Sequence, residues 1–297
     1  DYYNGEICMK RKHLVMMLVS ILMVVFLTAC GSDNSTANPN TNDANNQSNE
    51  TKEKFRVGME AAYAPFNWTQ VDDSNGAVPI SGAKEYAAGY DVEIAKKIAE
   101  GLGKELEIVK ISWSGLEPAV TSGTVDAIIA GMSATEKRKE QIDFTDNYYT
   151  SDLVMLVQKG SQYENATSIQ DFSGAKITAQ LSTFHYDVID QIQGVNKQTA
   201  MDDFTALRVA LQSGIIDGYV AERPEGLSAE VAIPGFTMIE FAEGQGFQAD
   251  VNEVSIAVGL KKNSPLTTQI NEILAGISEE ERTQLMNQAV QNQPAMN

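Results

Sequence analysis

Apolar residues along the chain alternate between strand-like runs and helical spacing. Phe55-Arg56-Val57-Gly58 predicts a short strand that opens the folded region. Within residues 90–100, Val92, Ile94, Ala95, Ile98 and Ala99 share one face, Glu93 stands four before Lys97, and Gly101 and Gly103 stop the run. That pattern predicts an amphipathic helix. Leu106, Ile108 and Ile111 then predict another strand. Strand, helix, strand implies an α/β sheet. One unit occurs twice. In residues 116–127, Leu116, Ala119 and Val120 take helical spacing before Ser122-Gly123 and Val125-Asp126-Ala127. In residues 207–218, Leu207, Ala210 and Leu211 do the same before Ser213-Gly214 and Ile216-Asp217-Gly218. Each copy predicts a helix, a glycine stop and an apolar strand, Ile128-Ile129 and Tyr219-Val220. The copies lie about ninety residues apart, too far for a solenoid period. They read as matching units of two α/β lobes or as a chance likeness between two common units. Residues 175–179 predict a further strand, and residues 271–289 a C-terminal helix.

The N-terminus follows another logic. Lys10-Arg11-Lys12-His13 precedes an apolar run over residues 14–27, broken only by Ser20, and then Leu27-Thr28-Ala29-Cys30. A basic segment, a short apolar segment and small residues make a secretory signal, and the run is short for a spanning helix. Met9 is the natural start, which leaves residues 1–8 upstream of it. The Leu-x-Ala-Cys ending resembles the lipobox of bacterial lipoproteins, which implies cleavage before Cys30 and lipid attachment to its thiol. The alternative is an uncleaved anchor with an incidental cysteine. Residues 31–52 are rich in Ser, Asn, Thr and Asp without apolar periodicity, and residues 30–54 read as a flexible tether with a reach of roughly 25 Å.

Composition narrows the functions. The chain has 297 residues, 43% hydrophobic and 21% charged, enough for two globular domains. The formal charge of −18 argues against a nucleic-acid partner. Cys8 and Cys30 are the sole cysteines and His13 and His185 the sole histidines, so no Cys/His metal site is expected and no cofactor is implied. Asp72-Asp73-Ser74-Asn75-Gly76 faintly suggests a calcium loop, but Ala83 stands where the closing Glu belongs, so it reads as a surface turn.

In open α/β sheets ligands sit beyond the carboxyl ends of the strands, and both repeats deliver polar residues there. After the first, Ser133-x-x-Glu136 reads as a capping box, so a helix is expected to start near Ser133 with an anion-friendly end. Arg138, in the second turn, either folds back to hold a carboxylate there or pairs with Glu140 or Asp143. Glu222 ends the strand of the second repeat. It either accepts an ammonium or pairs with Arg223. Gln180-Leu181-Ser182-Thr183-Phe184 follows a strand, with Ser182 or Thr183 as a helix cap. Tyr63, Phe66, Trp68 and Trp113 are either core or platforms for a ligand. Glu60 ends the first strand, where a carboxylate facing inward needs a partner.

These residues fall into ordered motifs: Tyr63-Ala64-Pro65-Phe66, Gly89-Tyr90-Asp91-Val92-Glu93-Ile94-Ala95, Ile128-Ile129-Ala130-Gly131-Met132-Ser133, Thr135-Glu136-Lys137-Arg138, Ile142-Asp143-Phe144-Thr145 and Asp217-Gly218-Tyr219. Over residues 55 to about 290 the chain resembles the family 3 extracellular solute-binding proteins, the receptors of polar amino-acid ABC importers. The resemblance implies an α/β, two-lobe periplasmic-binding-protein-like fold of type II, with two hinge crossings and a ligand cleft between the lobes. Residues 55–151 would form the first lobe and 152–252 the second. Residues 253–297 would return to the first. It implies that Arg138 holds the ligand carboxylate, helped by Ser133 and the backbone of Gly131 and Met132. Thr183 would take the carboxylate from the other lobe, and Glu222 the amino group, where the family usually has Asp. Tyr63 and Trp113 would wall the side chain, Glu60 would reach its far end, and Gln180 would vary with specificity. The family's Ser-Gly-Thr is Leu181-Ser182-Thr183 in this chain.

Arg138 and Glu222 cancel against a zwitterion, which leaves Glu60 over. A desolvated carboxylate wants a cation or a strong donor. That favours Lys, Arg, ornithine or His, with glutamine as the alternative. The expected protein is a non-enzymatic, monomeric receptor, exported and lipid-anchored through Cys30 to the outer face of a bacterial cytoplasmic membrane. It would close on a free amino acid and deliver it to an ABC permease. Two rivals of other classes are an exported enzyme on the same scaffold, of the cyclohexadienyl-dehydratase kind with His185 and Glu60 as acid or base, and a sensory domain.

Overall fold

The computed structural model describes residues 52–294. The expected leader over residues 1–29, the lipid site Cys30 and nearly all of the tether lie outside the described residues.

Two five-stranded sheets carry the same plan. The first runs, edge to edge, Glu105–Lys110, Lys54–Met59, Ala127–Ile128, Ser255–Lys261 and Ile142–Thr150. The second runs Asn196–Lys197, Lys176–Thr178, Gly218–Glu222, Leu153–Gln158 and Phe236–Ile239. In each, three neighbouring strands are parallel and the other two join antiparallel. The chain passes from the first sheet to the second between Thr150 and Leu153 and returns between Ile239 and Ser255.

The two sequence repeats occupy matching places in this plan. Helix Leu116–Ser122 ends on Gly123 at φ 80° and leads to strand Ala127–Ile128. Helix Phe204–Gln212 ends beside Gly214 at φ 73° and leads to strand Gly218–Glu222. Both glycines take the left-handed turn that ends a helix without a Cβ penalty. Both strands sit between a parallel and an antiparallel neighbour in their sheets.

The helix expected at 90–100 spans Tyr90–Gly101 and buries Val92, Ile94, Ala95, Ile98 and Ala99. The strands expected from Phe55 and Leu106 are Lys54–Met59 and Glu105–Lys110, paired in parallel. The C-terminal helix differs from expectation. It is two helices, Leu266–Ala275 and Glu279–Asn292, because Ser278 caps a new start by accepting from the Glu281 N–H. The longer of them ends against the second lobe, where Gln293 bonds Ser228 beside the buried pair of Arg208 with Glu225. Asp72–Gly76 is an exposed turn in which Asp72 accepts from Ser74. Among the described residues no helix is long and apolar enough to cross a membrane.

Candidate functional site

The carboxyl ends of the parallel strands of both sheets converge on one cleft, as the general rule for such sheets requires. From the first sheet, Glu60 follows strand Lys54–Met59, Trp113 follows Glu105–Lys110, and Gly131-Met132-Ser133 follows Ala127–Ile128. From the second, Gln180 to Thr183 follow Lys176–Thr178, and Glu222 is the last residue of Gly218–Glu222. All ten residues expected to contact a ligand are buried.

Arg138 lies on the short helix Glu136–Lys139. The cap of that helix is Thr135, whose hydroxyl accepts from the Arg138 N–H; Ser133 is not the cap. Ser133 instead pairs in a β-bridge with Ile256, a long-range contact that displaces the local box. The guanidinium does fold back. Nη1 donates to the Ser133 carbonyl at 2.9 Å, and Nη2 donates across the cleft to the Ser182 carbonyl at 3.0 Å. Nε pairs with Glu117 at 3.3 Å, and not with Glu140 or Asp143. The group also lies 5.1 Å from the centre of the Trp113 ring, a cation–π contact. Burial pulls its pKa below the usual value, against the charges of Glu117 and Glu222.

Glu222 is fully buried in the other lobe. Tyr63 donates its hydroxyl to Oε2 across the cleft, and His185 Nε2 stands 2.8 Å from Oε1. Burial pushes the Glu222 carboxyl up, but His185 and the Tyr63 hydroxyl outweigh it and hold the group below the usual range. Arg223, its neighbour in sequence, pairs with Glu240 instead. The far end of the cleft is a second carboxylate. Glu60, 5% exposed, accepts from Gln180 Nε2 at 3.2 and 3.1 Å, and the same amide donates to the Asp202 carbonyl. Burial pushes the Glu60 carboxyl up to about 8.

Tyr63 stacks on Phe204 with ring centres 4.2 Å apart and tilts against Phe66. Gly131 packs so tightly under it that a Cβ would come within 2.7 Å of the Tyr63 ring. Its N–H donates to the Tyr148 hydroxyl, which donates in turn to buried Asp91; Asn67 holds the other Asp91 oxygen. The Gly89-Tyr90-Asp91 motif thus supports the Gly131 turn from behind. Met132 sends its side chain into the core, and its carbonyl accepts from the Ala257 N–H. Thr183 is the N-cap residue of the helix Phe184–Asp187, as expected, but its hydroxyl donates to the Gln180 carbonyl and makes no cap bond.

Ser182, where the resemblance puts glycine, has φ 59°. A left-handed residue with a Cβ costs about 1–2 kcal/mol, partly offset by the lower chain entropy of serine against glycine. Ser182→Gly should therefore raise stability by about 0.5–1 kcal/mol in urea unfolding. A loss of stability on that substitution would show that the serine side chain holds the loop.

Sequence reasoning missed two groups. Glu117 reaches Arg138 only through the tertiary fold, and no local spacing signals it. His185 stood out by scarcity, but nothing in the sequence pairs it with Glu222. Among the described residues no cluster of three or more His, Cys, Asp or Glu is arranged to hold a metal ion.

A cavity of about 690 Å³ lies beside Arg138, lined by Trp113, Ser182 and Thr183 from the two lobes. Five carboxylates line it, Glu117, Glu136, Asp187, Asp250 and Glu253, against Lys137 and Arg138.

Comparison with known proteins bears on the family and the fold. The sequence profile of the bacterial extracellular solute-binding proteins, family 3, matches residues 55–291. The arginine-binding extracellular protein ArtP of Bacillus subtilis (strain 168) is 31% identical over 172 residues, 58% of this chain and 57% of that protein. A probable histidine-binding protein of Campylobacter jejuni is 32% identical over 191 residues, 64% of this chain and 65% of that protein. These alignments span less than two thirds of either relative. The structure of an amino acid ABC transporter substrate-binding protein, AbpA, from Streptococcus pneumoniae Canada MDR_19A bound to L-arginine superposes with a TM-score of 0.69 at 26% identity, over 80% of this chain and 94% of that one. The α/β fold is that of such substrate-binding proteins.

Proposed function

The chain belongs to the bacterial extracellular solute-binding proteins, family 3, and from that premise we propose that it is the exported receptor of an amino-acid ABC importer, closing on a polar and cationic amino acid. The observation that carries this is the pairing across the cleft. Arg138 bonds the Ser182 carbonyl, Glu222 bonds Tyr63, and Glu60 bonds Gln180, each from one lobe to the other. A zwitterion with a long donor side chain can take over all three sets. Its carboxylate replaces the Ser182 carbonyl at the guanidinium, with Ser133, Gly131, Met132 and Thr183 around it. Its ammonium goes to Glu222. Its side chain passes between Tyr63 and Trp113 to Glu60 and Gln180. Contacts made only with the lobes together drive a hinge closure.

Charge supports the cationic side chain. Arg138 and Glu222 answer the zwitterion, and Glu60 remains. The acidic lining of the neighbouring cavity attracts cations by the same sign. Relatives named for arginine and histidine agree with that class. A neutral amide such as glutamine is the second reading, favoured by one observation: a Glu60 carboxyl pushed up to about 8 can be protonated and then needs no cation. In this reading the protein is a monomer held by lipid on Cys30 at the outer face of the cytoplasmic membrane, where it hands its cargo to a permease.

Thermal unfolding of the purified protein against each common amino acid at millimolar concentration tests this, after co-purified ligand is stripped by unfolding and refolding. A ligand at about 100 times its Kd adds roughly 2.7 kcal/mol, a shift of several degrees in a chain of this size. Shifts confined to Arg, Lys, ornithine or His are the expected result. Shifts confined to glutamine would move the assignment to the neutral class. Recovery of a chemically changed ligand would replace the receptor by an enzyme on the same scaffold.

A further inference from the structure

The backbone crosses between the lobes at Thr150–Leu153 and at Ile239–Ser255, and a further connection is made by side chains alone. The helix Glu279–Asn292 starts on the first lobe. Lys97 Nζ pairs with Glu281 at 2.5 Å, and the Arg282 guanidinium donates to the carbonyls of Leu274, Ile277 and Asn147. Gln293 stands roughly 18 Å beyond Glu281 along the helix axis and meets the second lobe. Both ends of its amide are engaged. Oε1 accepts from the Ser228 hydroxyl, and Nε2 donates to the Ser228 carbonyl at 3.1 Å and to the Val290 carbonyl at 3.0 Å. Ser228 is fully buried and Gln293 is 9% exposed. A polar group taken out of water is costly without partners, so the seat on Ser228 is a specific one.

Ser228 moves with the residues of the site. It lies on the helix Arg223–Ala232, whose N-cap is Glu222, the carboxylate assigned to the ligand's ammonium. Its hydroxyl also accepts from Arg208 Nη2 at 2.6 Å, and Arg208 grips Glu225 of the same helix, to which Tyr219 donates as well. Arg208 sits on the helix Phe204–Gln212, whose first residue stacks on Tyr63. Gly226 lets the helix of Ser228 lie flush on strand Phe236–Ile239, because a Cβ there would collide with the Met238 side chain. Gln293 is thus plugged into a rigid unit that also carries Glu222. Between its two ends the C-terminal helix is held less closely. A cavity of about 460 Å³ lies along it, lined by Arg282, Met286 and Val290 and by Tyr149, Arg223 and Leu227. A swing of the second lobe can be taken up in that space. It cannot be taken up at the Gln293 amide, whose bonds need their partners within about 3 Å.

We propose that the C-terminal helix is a latch on the closed cleft: the Gln293 amide, seated on Ser228, holds the second lobe against the first, and a bound amino acid leaves only once that amide has let go. This rests on the receptor reading. On opening, water replaces Ser228 at the amide and Gln293 at Ser228, while Arg208 keeps Glu225. The latch touches no part of the ligand. It sets how long the cargo stays and not which cargo is chosen.

Release of radiolabelled L-arginine and L-glutamine from the full chain, chased with excess unlabelled amino acid, tests this. Gln293→Ala should release its ligand about fivefold to a hundredfold faster than the wild type, the range spanned by two hydrogen bonds of ordinary strength. The factor should be the same for each amino acid that binds. Ser228→Ala should also speed release, and the double variant should be no faster than the faster single one, because both substitutions break one contact. A merely structural role would lower the unfolding temperature without ligand and leave the release rate where it was. Wild-type release from Gln293→Ala overturns the proposal, as do single effects that add in the double variant or faster release confined to one of two bound ligands. If Ser228→Ala does not fold, the release rate of Gln293→Ala decides. Binding of neither ligand to the wild type would defeat the receptor reading and the latch with it, whereas binding with unchanged release defeats the latch alone.

Discussion

Arg138→Ala should abolish the thermal shift given by any amino acid, with a loss of affinity of a hundredfold to several thousandfold. The expectation follows from what the guanidinium does. It is 7% exposed, joins the Ser133 carbonyl of one lobe to the Ser182 carbonyl of the other, pairs with Glu117 and lies over Trp113. A ligand carboxylate seated there would meet a planar fork of donors in a dry site, where charge-assisted bonds are strongest. Truncation leaves the carboxylate buried without a counter-charge, at about 3–5 kcal/mol. Arg138→Lys keeps the charge without the fork and should recover part of the affinity. A shift in Arg138→Ala within about a degree of the wild type would mean that the carboxylate sits elsewhere, and the zwitterion reading would fall with it.

Local signals and long-range contacts divided what the sequence could tell. Helix Tyr90–Gly101 was legible because its apolar spacing and its closing glycines are local. The twin units at Leu116–Ser122 and Phe204–Gln212 were legible for the same reason, and they place Gly131 and Glu222 at corresponding strand ends. The cap at Ser133 was misread because its rival, Thr135, is two residues away, and a β-bridge to Ile256 decides between them. The break at Ser278 was overlooked although Ser278 and the acidic residues after it are an ordinary helix start. Glu117 and His185 belong to a different class. Each meets its partner only after two distant segments pack together, and composition names them without saying whom they face. The departure from glycine at Ser182 was visible, and the structure adds its physical content: the backbone keeps the left-handed turn and carries a serine in it.

Glu60→Gln should reverse the charge preference of the cleft. L-arginine and L-lysine should lose about a hundredfold, since a buried ion pair broken on one side costs a few kcal/mol, while L-glutamine should stay within about tenfold. Glu60 has Gln180 as its partner in the self-bonded cleft, and burial pushes its carboxyl up to about 8 from an ordinary 4.5. A raised native pKa means the closed protein binds a proton that the unfolded chain has released. The stabilisation from that neutral carboxyl is fully present below about pH 4.5 and is lost as pH rises through about 8. Without added ligand, the wild type should therefore unfold at a lower temperature as pH climbs through that window, and Glu60→Gln should remove the part of this dependence above about 6, beyond the range in which buried Asp91, itself pushed up to about 6, titrates. A cationic side chain acts in the opposite sense, because it favours the ionised carboxylate. The arginine-induced shift should grow with pH over the same window, and the glutamine-induced shift should not. The two titrations separate the readings of the site. If Glu60→Gln binds arginine as tightly as the wild type, with the same pH profile, Glu60 is not the terminus of the ligand side chain. The surplus negative charge that points to a cationic amino acid would then answer to nothing in the cleft.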